Sequence, residues 1–146
     1  MGKHSKQTVW LAAGLAGLAG LSGGVALGRA SYPPLDVLLT TSETVIGQPF
    51  AYPTGTPKVT AAIVTMVPGQ ETGWHRHNVP LFAWMLEGEL TVDYGPKGTK
   101  VYRKGDSLIE AYQSPHNGRN TGNDDVRLIA VFMGADGIEN TTGEAN

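Results

Sequence analysis

Cysteine is absent from the 146 residues. Its absence excludes thiolate metal ligands, disulfides, a cysteine nucleophile and a lipidated cysteine at the end of a leader. Positive charge is scarce where a fold can form. The first thirty residues take Lys3, Lys6 and Arg29 out of the chain's 11 basic side chains, leaving 8 against 13 acidic ones, about −5 by formal count. No basic stripe and no aromatic set interleaved with Lys or Arg is present. Nucleic acid is therefore not an expected partner, because phosphate neutralisation needs such a stripe.

One long apolar run does occur, at the start. Lys3, His4 and Lys6 precede Val9 to Leu27, an uncharged stretch with Ser22 as its only hydroxyl, and small residues follow at Ala26, Gly28 and Ala30. A positive head, an apolar middle and a small-residue end are the pattern of a secretory signal, here with a cut expected before Arg29 or Ser31. The alternative is an uncleaved anchor, since residues 9–27 as a helix just reach across a hydrocarbon layer of about 30 Å. A buried core helix fits poorly, because Gly14, Gly17, Gly20, Gly23 and Gly24 each weaken a helix in water. Either way residues 1–30 predict export to a periplasmic or extracellular space, with any membrane contact confined to this segment.

About 115 residues remain, enough for one domain with one core. The chain's 20 Gly and 9 Pro, set among short β-branched and aromatic runs past position 40, predict an all-β domain with few helices. Residues 31–42, with Pro33 and Pro34, read as a stiff linker. Alternating or apolar runs over 43–46, 59–67, 82–86, 89–94, 100–103, 107–111, 114–119 and 126–133 predict about eight strands in a barrel spanning 43–134. The strongly β-branched last run is expected to be central. Residues 135–146 read as a polar, mobile tail. Within it, Asn140-Thr141-Thr142 matches a glycosylation acceptor, a triplet that is common by chance.

The chemistry centres on Gly69-Gln70-Glu71-Thr72-Gly73-Trp74-His75-Arg76-His77. Histidines two apart on a strand share a face, so His75 and His77 aim at one point. Imidazole is a frequent ligand for zinc, iron, copper and nickel, and His116 could close such a site from a neighbouring strand. His4, the remaining histidine, belongs to the leader.

These residues resemble the two motifs of the cupin superfamily. Gly69, His75, His77 and Gly88 meet the first, whose Glu position is held by Leu81. Gly105, Asp106, His116 and Asn120 meet the second, with Ala111 and Gln113 in place of its Pro and Gly. The resemblance covers residues 59–133. It implies a single jelly-roll β-barrel carrying one metal in its mouth, often as a homodimer. The usual pattern binds metal through three His and one Glu. Leu81 cannot ligate, so the site is either a three-histidine one or takes a carboxylate from elsewhere.

Glu110 is the candidate for that carboxylate. If Leu108 seeks the core, Glu110 shares its face and enters the barrel beside His116. In the other register Ser107 and Ile109 point inward and Glu110 stays solvated on the rim. Phe82 and Trp84 share parity and line either the cavity or its back wall. Arg76 and Arg119 read as solvated, Arg119 also as a clamp for an anionic substrate if it lies by the mouth.

The expected ligand set is His75, His77 and His116 around one divalent transition metal. Fe(II) or Mn head the list, with Ni, Cu and Zn as alternatives. Glu110 is expected to be a displaceable ligand or general base. By analogy with cupin enzymes the leading reading is a metal-dependent enzyme, oxygenase- or oxidase-like, on a small-molecule substrate. The other readings are an exported module that binds a metal or small ligand without turnover, and a metal-free cupin that only dimerises.

Overall fold

From residue 57 onward the period-2 alternation becomes nine strands in the computed structural model, which describes residues 33–144. The expected leader over residues 1–30 lies outside the described residues. The strands are β1 Pro57–Met66, β2 His75–His77, β3 Leu81–Glu87, β4 Glu89–Asp93, β5 Thr99–Arg103, β6 Ser107–Ile109, β7 Asn117–Asn120, β8 Val126–Ala135 and β9 Thr141–Gly143. A single 3-10 turn at Gly95–Lys97, with Pro96 early in it, joins β4 to β5. Among the described residues no helix is long and apolar enough to cross a membrane.

Three antiparallel sheets form. One runs β1-β8-β3-β6, one runs β5-β4-β7, and β2 pairs with β9. The β-branched β8 is central, between β1 and β3. Alternation sorts its residues: Val126, Leu128 and Ala130 are buried, and they meet the buried Leu81, Ala83 and Met85 of β3 and Leu90 and Val92 of β4. Each such Val, Leu or Met stabilises the fold by roughly 1.5–3 kcal/mol relative to exposure. Phe82 and Trp84, on the opposite parity of β3, pair with Val131 and Ile129 on the outer side of the sheet. The back-wall placement is thus the one realised.

Between β3 and β4 the chain bends. The ladder with β8 shifts register between Met85 and Glu87, which is a bulge. Gly88 follows with φ +78, and a Cβ there would stand 2.6 Å from the Asp125 carbonyl oxygen. Only glycine meets both conditions.

Three stretches differ from expectation. Residues 43–46 form no strand: Glu43 makes one bridge to Pro49 and the backbone turns back through Thr44 N–H to Gln48 O, because Gly47 takes φ +74 and Pro49 has no N–H to extend a ladder. The strand expected over 107–111 ends at Ile109, although Glu110 N–H still donates to Leu81 O at 2.9 Å. The expected tail from 135 to 146 is ordered over Thr141–Gly143, which pairs in register with His77, Arg76 and His75. A backbone ladder satisfies polar strands as well as apolar ones, so the polarity of this segment was no guide to its structure.

Gln113 is the only non-glycine with positive φ among the described residues, at +52. It stands where the family's second motif has Gly, so the turn keeps its left-handed backbone at a cost of about 1 kcal/mol. Gln113→Gly is expected to raise stability by about 0.5–1 kcal/mol in chemical denaturation; an unchanged or lower midpoint would show that the turn is not strained.

Candidate metal centre

β2 carries His75 and His77 on one face and turns Arg76 to the other, where its guanidinium pairs with Glu144. His116 lies beside them because its backbone exchanges both hydrogen bonds with His75, at 2.9 and 3.0 Å. The ring centroids stand 4.9 Å apart for His75 and His77, 4.4 Å for His75 and His116, and 5.0 Å for His77 and His116. One ligating atom from each ring lies within 4.8 Å of the others, a group that could hold a metal ion. His77 and His116 are buried and His75 is partly exposed, so solvent reaches the cluster from the His75 side.

Each ring is held by its other nitrogen. Nδ1 of His75 meets Gly73 O at 2.8 Å, and Nδ1 of His116 meets Ser114 O at 2.9 Å. A carbonyl only accepts, so both rings carry their proton on Nδ1 and present the lone pair of Nε2. Nδ1 of His77 meets the Thr141 hydroxyl at 2.9 Å. Orientation through the second nitrogen is what metal-binding imidazoles require. Burial lowers the pKa of all three: that of His77 falls to about 3, with His116 and His75 adding to the effect, while backbone hydrogen bonds partly offset it at His75 and His116. The imidazoles are therefore neutral near neutral pH, the form that ligates. The donor set fits a divalent transition metal.

Glu110 takes the inward register. It is 7% exposed and borders the same interior cavity as Leu108 and the three histidines. It is a cross-strand neighbour of Leu81, the residue at the motif's Glu position, whose carbonyl accepts the Glu110 N–H. The carboxylate has thus moved one strand sideways. It falls outside the group of converging nitrogens. Its Oε1 accepts from Ala111 N–H at 2.7 Å, a donor that the family's usual Pro at this position would lack. Burial raises its pKa, and the bond from Ala111 and the facing Tyr94 hydroxyl pull it partly back.

Sequence reasoning missed three contributors. Tyr94 reads as packing but is buried with its ring 5.8 Å from that of His116 and its hydroxyl 3.0 Å from the Tyr102 hydroxyl. Burial raises the pKa of both phenols and keeps them protonated. Thr141 and Thr142, read as part of a chance triplet, orient His77 and accept from Asn78 Nδ2 at 2.7 Å respectively. Arg119 is no clamp: it faces outward from β7, 3.5 Å from Glu71.

The sequence profile of the Cupin domain family matches residues 62–132. With the all-β architecture and the two histidine motifs, this match supports membership of the cupin superfamily. Among solved structures, a point mutant of Bacillus subtilis oxalate decarboxylase shares 21% identity at a TM-score of 0.50, over 58% of this chain and 23% of that one. The formate complex of Lactobacillus farciminis oxalate decarboxylase gives the same identity and score, over 58% of this chain and 26% of that one. The matched region spans about a quarter of those proteins, and at this identity the likeness concerns the fold alone. No curated protein matches the sequence.

Two outcomes follow from this geometry. His77→Ala is expected to lose bound metal while the far-ultraviolet spectrum and melting of the metal-free barrel stay near wild type, and Thr141→Val to weaken metal binding by about tenfold; unchanged metal content in both would contradict the orientation scheme. The second concerns pH. In the unfolded chain each histidine titrates near its ordinary value of 6.5, whereas the folded values are lower. Below 6.5 the unfolded state binds more protons, so metal-free stability falls as pH drops, by up to about 1.4 kcal/mol per pH unit for each histidine. Glu110 opposes this between 4.5 and its raised value, with one proton against three. Denaturation midpoints are expected to fall from pH 7 to 5, less steeply in His77→Ala; a flat profile would show that the rings are not held neutral.

Proposed function

We propose that the chain is an exported, metal-dependent cupin enzyme acting on a small molecule, with oxygenase- or oxidase-like chemistry on Fe(II) or Mn. The observation that carries the proposal is the pairing of three pre-oriented imidazoles with a buried carboxyl that does not join their cluster. A cluster that only stored metal would have no use for a buried acid beside it at the cost of its desolvation. Export rests on the character of residues 1–30, as a cleaved signal or as an anchor over residues 9–27.

His75, His77 and His116 would hold the metal. Bound there, it would supply Lewis acidity and roughly two or three open positions for substrate with dioxygen or water. Glu110, outside the ligand group, is placed to take a proton from a bound molecule or return one at its carboxyl oxygen. Ala111 N–H fixes the orientation of that oxygen, and Tyr94, itself tied to Tyr102, faces it with a protonated phenol. Apolar walls keep bulk water from the inner part of the cavity, away from the His75 side.

The full-length protein, loaded separately with Fe(II), Mn, Ni, Cu and Zn, is to be screened for oxygen uptake and for loss of phenols, thiols and sugar acids. Turnover with at least one metal is expected. In Glu110→Gln metal content should persist while turnover falls by about 10²–10⁴-fold. Tight binding without turnover under every metal would instead make the chain a binding module.

A further inference from the structure

The cavity beside the histidine cluster has a volume of about 110 Å³. Its walls come from the inner faces of β1, β3, β4, β6 and β8, and they include Met66, Ala83, Val92, Leu128, Ala130 and Phe132. Its polar side chains are the three histidines, Glu110 and Thr72. No Lys or Arg lines it. The arginines nearest in sequence to the site are engaged outside, Arg76 with Glu144 and Arg119 with Glu71.

We propose that this cavity selects a small molecule with one oxygen-bearing end and an apolar body, its lining offering nothing to a second charged end that a bound metal does not itself take up. The proposal rests on the metal-enzyme reading above and names its substrate class. An engineered cavity of about 150 Å³ takes up benzene, so the space here limits a ligand to about six non-hydrogen atoms. One polar end is satisfied at the histidine cluster and Glu110. A second charged end beyond reach of the histidine cluster would lie against Met, Val, Leu and Phe side chains with no cation and no donor to meet it, and burying a carboxylate that way is strongly unfavourable. An apolar body gains from the same walls.

Four probes test this on the full-length protein, metal-free and Mn-loaded: cyclopentanone, cyclopentanol, oxalate and malonate. Ligand-observed saturation-transfer NMR and shifts in melting temperature are the readouts, so catalysis is not needed. Cyclopentanone and cyclopentanol are expected to bind both forms, and to bind the metal-free form at least tenfold more tightly than oxalate or malonate does. Ala83→Val and Ala130→Val, which narrow the cavity from two different strands, should each weaken cyclopentanone binding at least fivefold; near-ultraviolet circular dichroism identifies whichever variant keeps its packing. Oxalate or malonate binding the metal-free protein more tightly than both neutral probes would overturn the substrate class and leave the metal reading intact. Absence of binding by both neutral probes to either form would overturn it as well. Binding of the neutral probes by a protein that takes up no Mn would keep the substrate class and remove the metal reading.

Discussion

The exchange of two backbone hydrogen bonds between His75 and His116 is the constraint on which the site depends. It places a residue of one strand directly across from a residue more than forty positions later, on the face that β2 already assigns to His75 and His77. Strand geometry then brings three rings together without help from long side-chain arrangements. Loops finish the work at the second ring nitrogens, through Gly73 and Ser114 carbonyls, while β9 supplies the Thr141 hydroxyl. The result is a set of neutral donors fixed in tautomer and direction before any metal arrives.

Departures from the family's motifs belong together. Leu81 removes the usual carboxylate from β3, Glu110 restores one just past the end of the adjoining β6, and Ala111 provides the N–H that holds it. A Pro at position 111 would leave that carboxyl without its backbone donor. The exchange leaves the acid outside the group of converging nitrogens, on the wall of the cavity that it shares with them. It also leaves Leu81 among the apolar residues that wall the cavity.

Much of this was legible in the residues. Alternation over 59–67, 89–94 and 126–133 gave strands close to β1, β4 and β8, and the His-x-His spacing gave the shared face. The core preference of Leu108 indicated the inward turn of Glu110, one of two registers left open by the pattern. What was not legible has a common cause. Thr141–Gly143 pairs through its backbone, and nothing in a polar sequence reports a ladder partner sixty residues away. Tyr94 carries a hydroxyl whose role comes from neighbours on other strands, Tyr102 and Glu110, so its apolar ring masked it. Residues 43–46 show the reverse case, a locally strand-like stretch broken by the turn at Gly47.

The central claim is that three imidazoles of one chain bind one metal. X-ray absorption at the metal edge of the Mn- or Fe(II)-loaded protein measures it directly. Multiple-scattering features of three imidazole ligands are expected, falling to two in His116→Ala; a spectrum with one imidazole or none in the wild-type protein would contradict the account.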